Sequence, residues 1–272
     1  MRLLVIGAHP DDPDIRAGGL ACTLAAADHD VRFLSLTNGN KGHHEQRGME
    51  LANRRQSEAQ AAAEIAGLDG YDLLNIPDGE LQPTLDNRKT LIRYIREYDP
   101  HLILTHRPND YHPDHRYTSQ LVQDAAYMVT VPKMCPETPH LADDPVICYL
   151  TDEFHKPYPF SPDVVVPIDQ EDVKRKYDML HQHTSQLYEW LAYNHGYLDD
   201  VPDEEEERRE FLETDPLNAM AEMSNVADRF RDRLVARYGE EQGNAIEYAE
   251  AFEACEYGAP LTDDRIPELF PI

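Results

Sequence analysis

The sequence predicts an α/β protein: a three-layer, Rossmann-like, mostly parallel sheet with helices on both faces. Three observations predict it. Short apolar runs alternate along the chain with amphipathic stretches of helical period, the pattern of βα units. The runs are short and bounded by turn residues, as buried strands are. Clusters of charged and coordinating residues follow three of the runs, and open α/β sheets bind ligands beyond the carboxyl ends of their strands.

The elements follow in order. Residues 2–7 read as a strand, and 17–27 as a helix opened by Gly18 and Gly19. Residues 31–37 form a second strand, and 48–66 a long alanine-rich helix closed by Gly67. A short strand over 73–76 ends in the turn Pro77-Asp78-Gly79. The helix over 85–98 carries Leu91, Ile92, Ile95 and Tyr98 on one face and stops at Pro100. Residues 101–105 are the fourth strand. The helix over 114–130 turns Leu121, Val122, Ala125, Ala126 and Val129 inward.

The second half is less regular. Strands are expected near 146–150 and 163–168, and helices near 170–194, 217–237 and 241–256. The whole chain, 1–272, reads as one domain whose less regular part begins near residue 150. Residues 199–215 hold ten acids, with Glu204 to Glu207 in a row. They read as a solvated loop or an exposed helix at the surface.

Composition excludes several classes. The chain carries 52 acidic and 25 basic residues, a net charge of −27, and only six of the basic residues are lysines. Such a surface repels nucleic acid and anionic membrane. It is also what adaptation to high salt would produce, since hydrated carboxylates keep a protein dissolved in brine. No apolar stretch approaches the roughly 20 residues that span a bilayer. The first apolar run is too short for a signal peptide, so a cytoplasmic location is expected. Cys22, Cys135, Cys148 and Cys255 are far apart and form no C-x-x-C pair. They suggest neither a disulfide framework nor a thiolate zinc site, and Cys22 reads as a core thiol.

The chemistry is concentrated after the first and fourth strands. His9, Asp11 and Asp12 follow the first run directly. An imidazole and two carboxylates so close together repel and pay desolvation unless a cation or a hydrogen-bond network holds them. After the fourth strand comes Asp110-Tyr111-His112-Pro113-Asp114-His115. Pro113 suits the first turn of a helix and Asp114 its positive end. Here one histidine can bind a metal while the other faces a substrate. His9, Asp12 and His115 make a two-histidine, one-carboxylate set, a type that catalytic zinc uses with one position left to water.

These residues carry a resemblance. Ala8-His9-Pro10-Asp11-Asp12 with Gly18-Gly19 following, and the run 110–115, resemble the zinc-dependent N-acetylglucosaminyl deacetylases, the LmbE-like or PIG-L family. Weaker matches are Arg55-Gln56-Ser57-Glu58, Pro77-Asp78-Gly79, His183-Thr184-Ser185-Gln186 and Ala249-Glu250-Ala251-Phe252, so the resemblance spans nearly the whole chain. It implies the LmbE-like version of the fold and a metal-dependent N-deacetylase or amidohydrolase acting on linear amides. The substrate would be a small amino sugar or its conjugate. The cofactor would be Zn2+, with another divalent ion such as Fe2+ as the alternative. A homo-oligomer is the expected assembly.

By residue, the resemblance implies that His9, Asp12 and His115 ligate the metal and that Asp11 is the general base. It implies that His112 stabilises the tetrahedral oxyanion, protonated, and that Asp114 orients and charges His112. Arg55 and Asp78 match substrate-contacting positions. Pro13-Asp14 departs from the many relatives with a glutamate directly after the second aspartate; others carry an acid one residue later, as Asp14 does. Subfamily and substrate therefore stay open.

The chemistry stands without the family name. Zinc lowers the pKa of bound water to about 7, and an adjacent carboxylate can take a proton and return it to the leaving amine. Plainer readings stand beside it. Arg55 could pair with Glu58 one helical turn on, and Asp78 could be a turn residue only. The loop 38–48, with His43 and His44, reads as a flap over the site or as solvated chain. His183 reads as a capping or packing residue, or as part of the pocket wall. Trp190, with Tyr188, Tyr193 and Tyr197, reads as aromatic packing, a subunit contact or a sugar-stacking surface.

Two alternatives compete with the hydrolase. A nucleotide-binding fold lacks its G-x-G-x-x-G turn, and Asp11, Asp12 and Asp14 would repel a pyrophosphate. A metal-binding member of the same fold without catalysis would have no need of Asp11 and His112. An amidase acting on a different amide remains open within the first reading.

Overall fold

The computed structural model describes residues 1–214 and 219–271. In chain order the elements are β1 (Arg2–Gly7), α1 (Asp12–Ala26), β2 (Asp30–Ser35), α2 (Gly48–Ala66), β3 (Gly70–Leu73), α3 (Leu85–Tyr98), β4 (Leu102–Thr105) and α4 (Pro113–Ala126). Then come β5 (Val146–Leu150), β6 (Val164–Pro167), α5 (Gln170–Gln182), a π-helical stretch (Ser185–Trp190), α6 (Leu191–His195) and α7 (Glu205–Phe211). The chain continues with α8 (Ala219–Arg229), α9 (Arg231–Tyr238), α10 (Glu240–Ala245), β7 (Ala249–Ala254) and α11 (Ile266–Leu269).

The strands form one seven-stranded sheet in the order β3-β2-β1-β4-β5-β7-β6. The first five in that order run parallel, and β7 pairs antiparallel with both β5 and β6. Alternation along β1 shows the three layers directly. Leu3 and Val5 enter the core that includes α1, α2 and α5 residues, whereas Leu4 and Ile6 enter the core that includes α3 and α4 residues. A strand buried on both faces must be apolar throughout, which is why the first run is unbroken. β1 and β4 are neighbours, but the chain leaves β1 toward β2 and leaves β4 toward β5. That reversal opens a crevice at their carboxyl ends.

Several boundaries differ from the sequence reading. The first helix starts at Asp12, not at Gly18, because Pro13 fixes its first turn. Gly18 and Gly19 lie inside α1, where a neighbour comes close: a Cβ on Gly19 would stand 2.9 Å from Glu250 Oε1. The third strand is Gly70–Leu73, three residues earlier than read, since it must pair with β2 at Arg32–Ser35. The helix expected over 170–194 breaks at His183 into the π-helical stretch. The helix over 114–130 finishes as a 3-10 turn from Tyr127.

The largest miss is the helix expected over 241–256. α10 ends at Ala245, and residues 249–254 are β7, inside the sheet. Alanine and glutamate favour helix locally, but tertiary pairing overrides that preference. Glu250 is buried there because its carboxylate accepts from Gly19 N, Leu20 N and Lys176 Nζ at 2.8–2.9 Å. The acidic segment forms α7 with its glutamates exposed; residue 215 of that segment, and residues 217–218 of the next expected helix, lie outside the described residues. That helix is two helices, α8 and α9, separated at Phe230. All four cysteines are free and buried. Among the described residues no helix is long and apolar enough to cross a membrane.

Candidate active site

Two tight strand-to-helix connections build the site. Behind β1, Asp12 Oδ2 accepts from Ala8 N at 3.0 Å and His9 N at 2.7 Å, so one carboxylate closes the turn that presents His9. Behind β4, His112 caps α4: its Nδ1 accepts from Asp114 N at 3.2 Å. The first turn of α4 then delivers His115 toward β1.

The three expected ligands meet. His9 Nδ1 lies 3.2 Å from His115 Nε2 and 3.3 Å from Asp12 Oδ2, and His115 Nε2 lies 3.4 Å from Asp12 Oδ1. Zinc with ligands at 2.0–2.2 Å in tetrahedral geometry separates them by about 3.3–3.5 Å. The two imidazole nitrogens stand at that spacing, and each faces a different oxygen of the Asp12 carboxylate, a donor set that suits the cation. Carboxylates set the charge state of the imidazoles. Burial would lower His115, but Asp12 and Asp110 hold it up at about 9. Burial opposes the charge on His9 as well, yet Asp12, Asp114 and Asp78 raise its pKa well above the ordinary value. Asp12, though buried, is held well below the usual carboxylate range by His115, His106 and His9.

Asp11 stands beside the triangle with a different partner. Arg55 Nη2 donates to Asp11 Oδ1 at 3.0 Å. Arg55 is itself buried and reaches the carbonyls of Pro10 and Gly39. Gly39 is required there: its φ is +63°, and a Cβ would overlap the guanidinium. Burial pushes the Asp11 carboxyl up, Arg55 opposes this, and the net shift is upward. The alternative ion pair to Glu58 belongs instead to Arg54, whose Nε lies 3.1 Å from Glu58 Oε1.

The His112 ring lies 4.6 Å from the His9 ring, edge to face. Its Nδ1 accepts a backbone N–H, so its proton sits on Nε2 and the ring is neutral. Burial and the neighbouring His9 and His115 lower its pKa further. This departs from a protonated His112 charged by the Asp114 carboxylate. That carboxylate turns away, accepting from Gly79 N at 2.7 Å and facing His9 Nε2 at 3.4 Å. Asp78 Oδ1 faces the same His9 nitrogen at 3.2 Å.

Two residues without an expected role join the site. His106, directly after β4, stacks on His115 with centroids 4.1 Å apart and puts Nε2 3.2 Å from Asp12 Oδ2. Burial and His115 push it down to about 4, so it is neutral. Its strand-end position, the same signal that marks His9, could have found it. Asp110 Oδ2 lies 3.1 Å from His115 Nδ1. Close sets of potential ligand atoms among the described residues are His9–His112–His115, Asp12–His106–His115 and His9–Asp78–Asp114.

The loop 38–48 borders the site and is anchored. Gly42 faces Arg55 and Asp78, and its carbonyl accepts from Gln186 Nε2 at 3.0 Å. His43 Nε2 meets Glu189 Oε2 at 2.7 Å, and His44 stacks between His43 and Tyr193. Trp190 continues that stack at 6.1 Å from Tyr193, so these rings pack on one another. His183 is fully buried with Nε2 3.1 Å from Asp14 Oδ1, and Tyr71 donates to the other Asp14 oxygen at 2.9 Å.

Residues 4–126, which contain both histidine clusters, match the family described as PIG-L: GlcNAc-PI de-N-acetylase. The match covers less than half of the chain. A diacetylchitobiose deacetylase of Thermococcus kodakarensis is 36% identical over 136 residues, 48% of this chain and 51% of that protein. The chain spans about half the length of the curated relatives it matches first. Among solved structures, the N,N'-diacetylchitobiose deacetylase of Pyrococcus horikoshii superposes with a TM-score of 0.70 at 22% identity, covering 97% of this chain and 88% of that one. The 4-carboxy-2-hydroxymuconate hydratase GalB of Pseudomonas putida superposes at 0.73 and 20% identity, covering 96% and 98%. At these identities the structural likeness establishes the fold alone.

Proposed function

We propose that the protein is a metal-dependent hydrolase that removes an acetyl group from an amino sugar or its conjugate. One observation carries this reading: two imidazole nitrogens 3.2 Å apart, each facing an oxygen of one carboxylate, converge beside a buried acid that is not one of them. His9, Asp12 and His115 would hold the ion, with Zn2+ best suited to two nitrogens and an oxygen. Bound there, it would polarise the amide carbonyl and acidify a water.

The chain's own groups do the rest. Asp11, backed by Arg55, takes a proton from the attacking water. It delivers that proton to the amide nitrogen as the C–N bond breaks, leaving a carboxylate and a free amine. His112 Nε2–H donates to the oxygen that gains negative charge, and a neutral donor at a helix N-terminus suits that task. The amino-sugar class is supported by the deacetylase from Thermococcus kodakarensis and its 36% identity over 136 residues. The test is amine release from N-acetylglucosamine and N,N'-diacetylchitobiose by zinc-loaded protein. Turnover of either supports the reading; no turnover on any acetylated amino sugar at full metal occupancy overturns it.

A further inference from the structure

The two nitrogens of His9 face different surroundings. Nδ1 belongs to the ligand triangle. Nε2 is buried without a hydrogen bond of standard geometry, and two carboxylate oxygens approach it, Asp78 Oδ1 at 3.2 Å and Asp114 Oδ2 at 3.4 Å. Three connections of the sheet thus meet on one ring: His9 after β1, Asp78 in the turn after β3 and Asp114 in the first turn of α4.

An imidazole that gives its Nδ1 lone pair to a cation must carry its proton on Nε2. A carboxylate at Nε2 accepts that proton, fixes tautomer and ring orientation, and makes Nδ1 a stronger donor. We propose that Asp78 is the positioning residue that holds His9 for metal binding, and that Asp114 fixes the turn from which Asp78 reaches it. This rests on the metal reading above and replaces a substrate contact for Asp78.

Three observations support the division of labour. Asp114 Oδ2 is already committed to Gly79 N at 2.7 Å, and Asn40 Oδ1 accepts from Asp78 N at 3.1 Å, so the turn is pinned on both sides. Asp78 is buried, so its carboxylate has little access to water and faces the His9 ring instead. The other histidine repeats the arrangement: Asp110 Oδ2 backs His115 Nδ1 at 3.1 Å while His115 Nε2 points into the triangle. Each imidazole therefore has a carboxylate behind the nitrogen that faces away from the cation position.

Asp78→Asn keeps the shape and removes the charge. Zinc affinity is measured by chelator competition, and the Co2+ absorption spectrum reports ligand geometry independently of activity. The expected result is zinc binding weaker by about 10–100-fold and an altered Co2+ spectrum, with KM of the metal-saturated enzyme nearly unchanged. Unaltered zinc affinity with a raised KM would make Asp78 a substrate contact and overturn the proposal. Two ions per chain, one of them lost in Asp78→Asn, would overturn it too, because the carboxylates would then ligate an ion themselves. Failure of the unaltered protein to bind zinc at all would remove the underlying metal reading, a distinct result. Should Asp78→Asn not fold, Asp78→Glu displaces the carboxylate by one methylene, and the same loss of affinity is expected.

Discussion

Arg55 and Asp11 form a buried ion pair, Nη2 to Oδ1 at 3.0 Å, with Asp11 next in the chain to Asp12 but not itself one of the three expected ligands. This separation divides metal binding from proton transfer. Asp11→Asn is therefore expected to keep zinc affinity within a fewfold and to lower kcat by roughly 10²–10⁴, the usual worth of a positioned acid–base group. Metal content and amine release on the same sample check it. Undiminished kcat would take the base role from Asp11.

Removing the cation instead of the acid should change the pH profile. Arg55 lowers the Asp11 pKa against the upward push of burial. In Arg55→Met the Asp11 carboxyl rises further, and a base must be deprotonated to act. The acidic limb of kcat/KM then moves to higher pH, and at neutral pH the rate falls. Stability falls as well, by about 3–5 kcal/mol where Asp11 stays charged, because a buried charge loses its partner. An acidic limb that stays in place in this variant would mean that another group sets it.

Metal binding should expel protons. At pH 7 the metal-free protein keeps a proton on His115, held at about 9, whose Nε2 lies within hydrogen-bond distance of His9 Nδ1. Asp12 is already ionised. Ligation needs both imidazoles neutral, so about one proton leaves per ion at pH 7. Affinity then rises by roughly one decade per pH unit until His115 deprotonates near 9. The metal-free fold shows the opposite trend. Raised histidine pKa values stabilise it fully below about pH 6.5, and that gain is lost as pH climbs through the folded-state values. Calorimetry in buffers of different ionisation enthalpy counts the protons; a count near zero at pH 7 would contradict the convergent geometry.

How far the sequence reveals this site depends on how local each signal is. β1, α2 and α3 are legible because an unbroken apolar run, the stop at Gly67 and the stop at Pro100 sit within a few residues of what they specify. His9, Asp12 and His115 are legible because strand ends in a parallel sheet share one edge. The partner of each nitrogen is not legible. Asp78 reaches His9 only because Asp114 pins Gly79, a contact between residues far apart in the chain. β7 is hidden for the same reason, since Glu250 is tolerable inside a sheet only once Gly19, Leu20 and Lys176 surround it. Arg54 and Arg55 are adjacent, so the sequence could not tell which one would pair with Glu58.

The excess of negative charge predicts a response to salt whose sign can be argued. A net charge of −27 opposes the compact state through self-repulsion. Added salt screens that repulsion, with a Debye length near 3 Å at 1 M. It also weakens surface ion pairs such as Lys41–Glu80 and Arg93–Glu137, but exposed pairs contribute little to stability. The buried pairs Arg55–Asp11 and Lys176–Glu250 lie out of reach of screening. Repulsion among exposed acids, such as the run Glu204 to Glu207, is thus the larger of the two salt-sensitive contributions. Thermal unfolding should move up by about 5–10 °C between 0.1 M and 2 M KCl, the shift that a gain of a few kcal/mol produces at this size. Equal midpoints at both concentrations would show that the surface pairs balance the repulsion, and would remove the case for adaptation to brine.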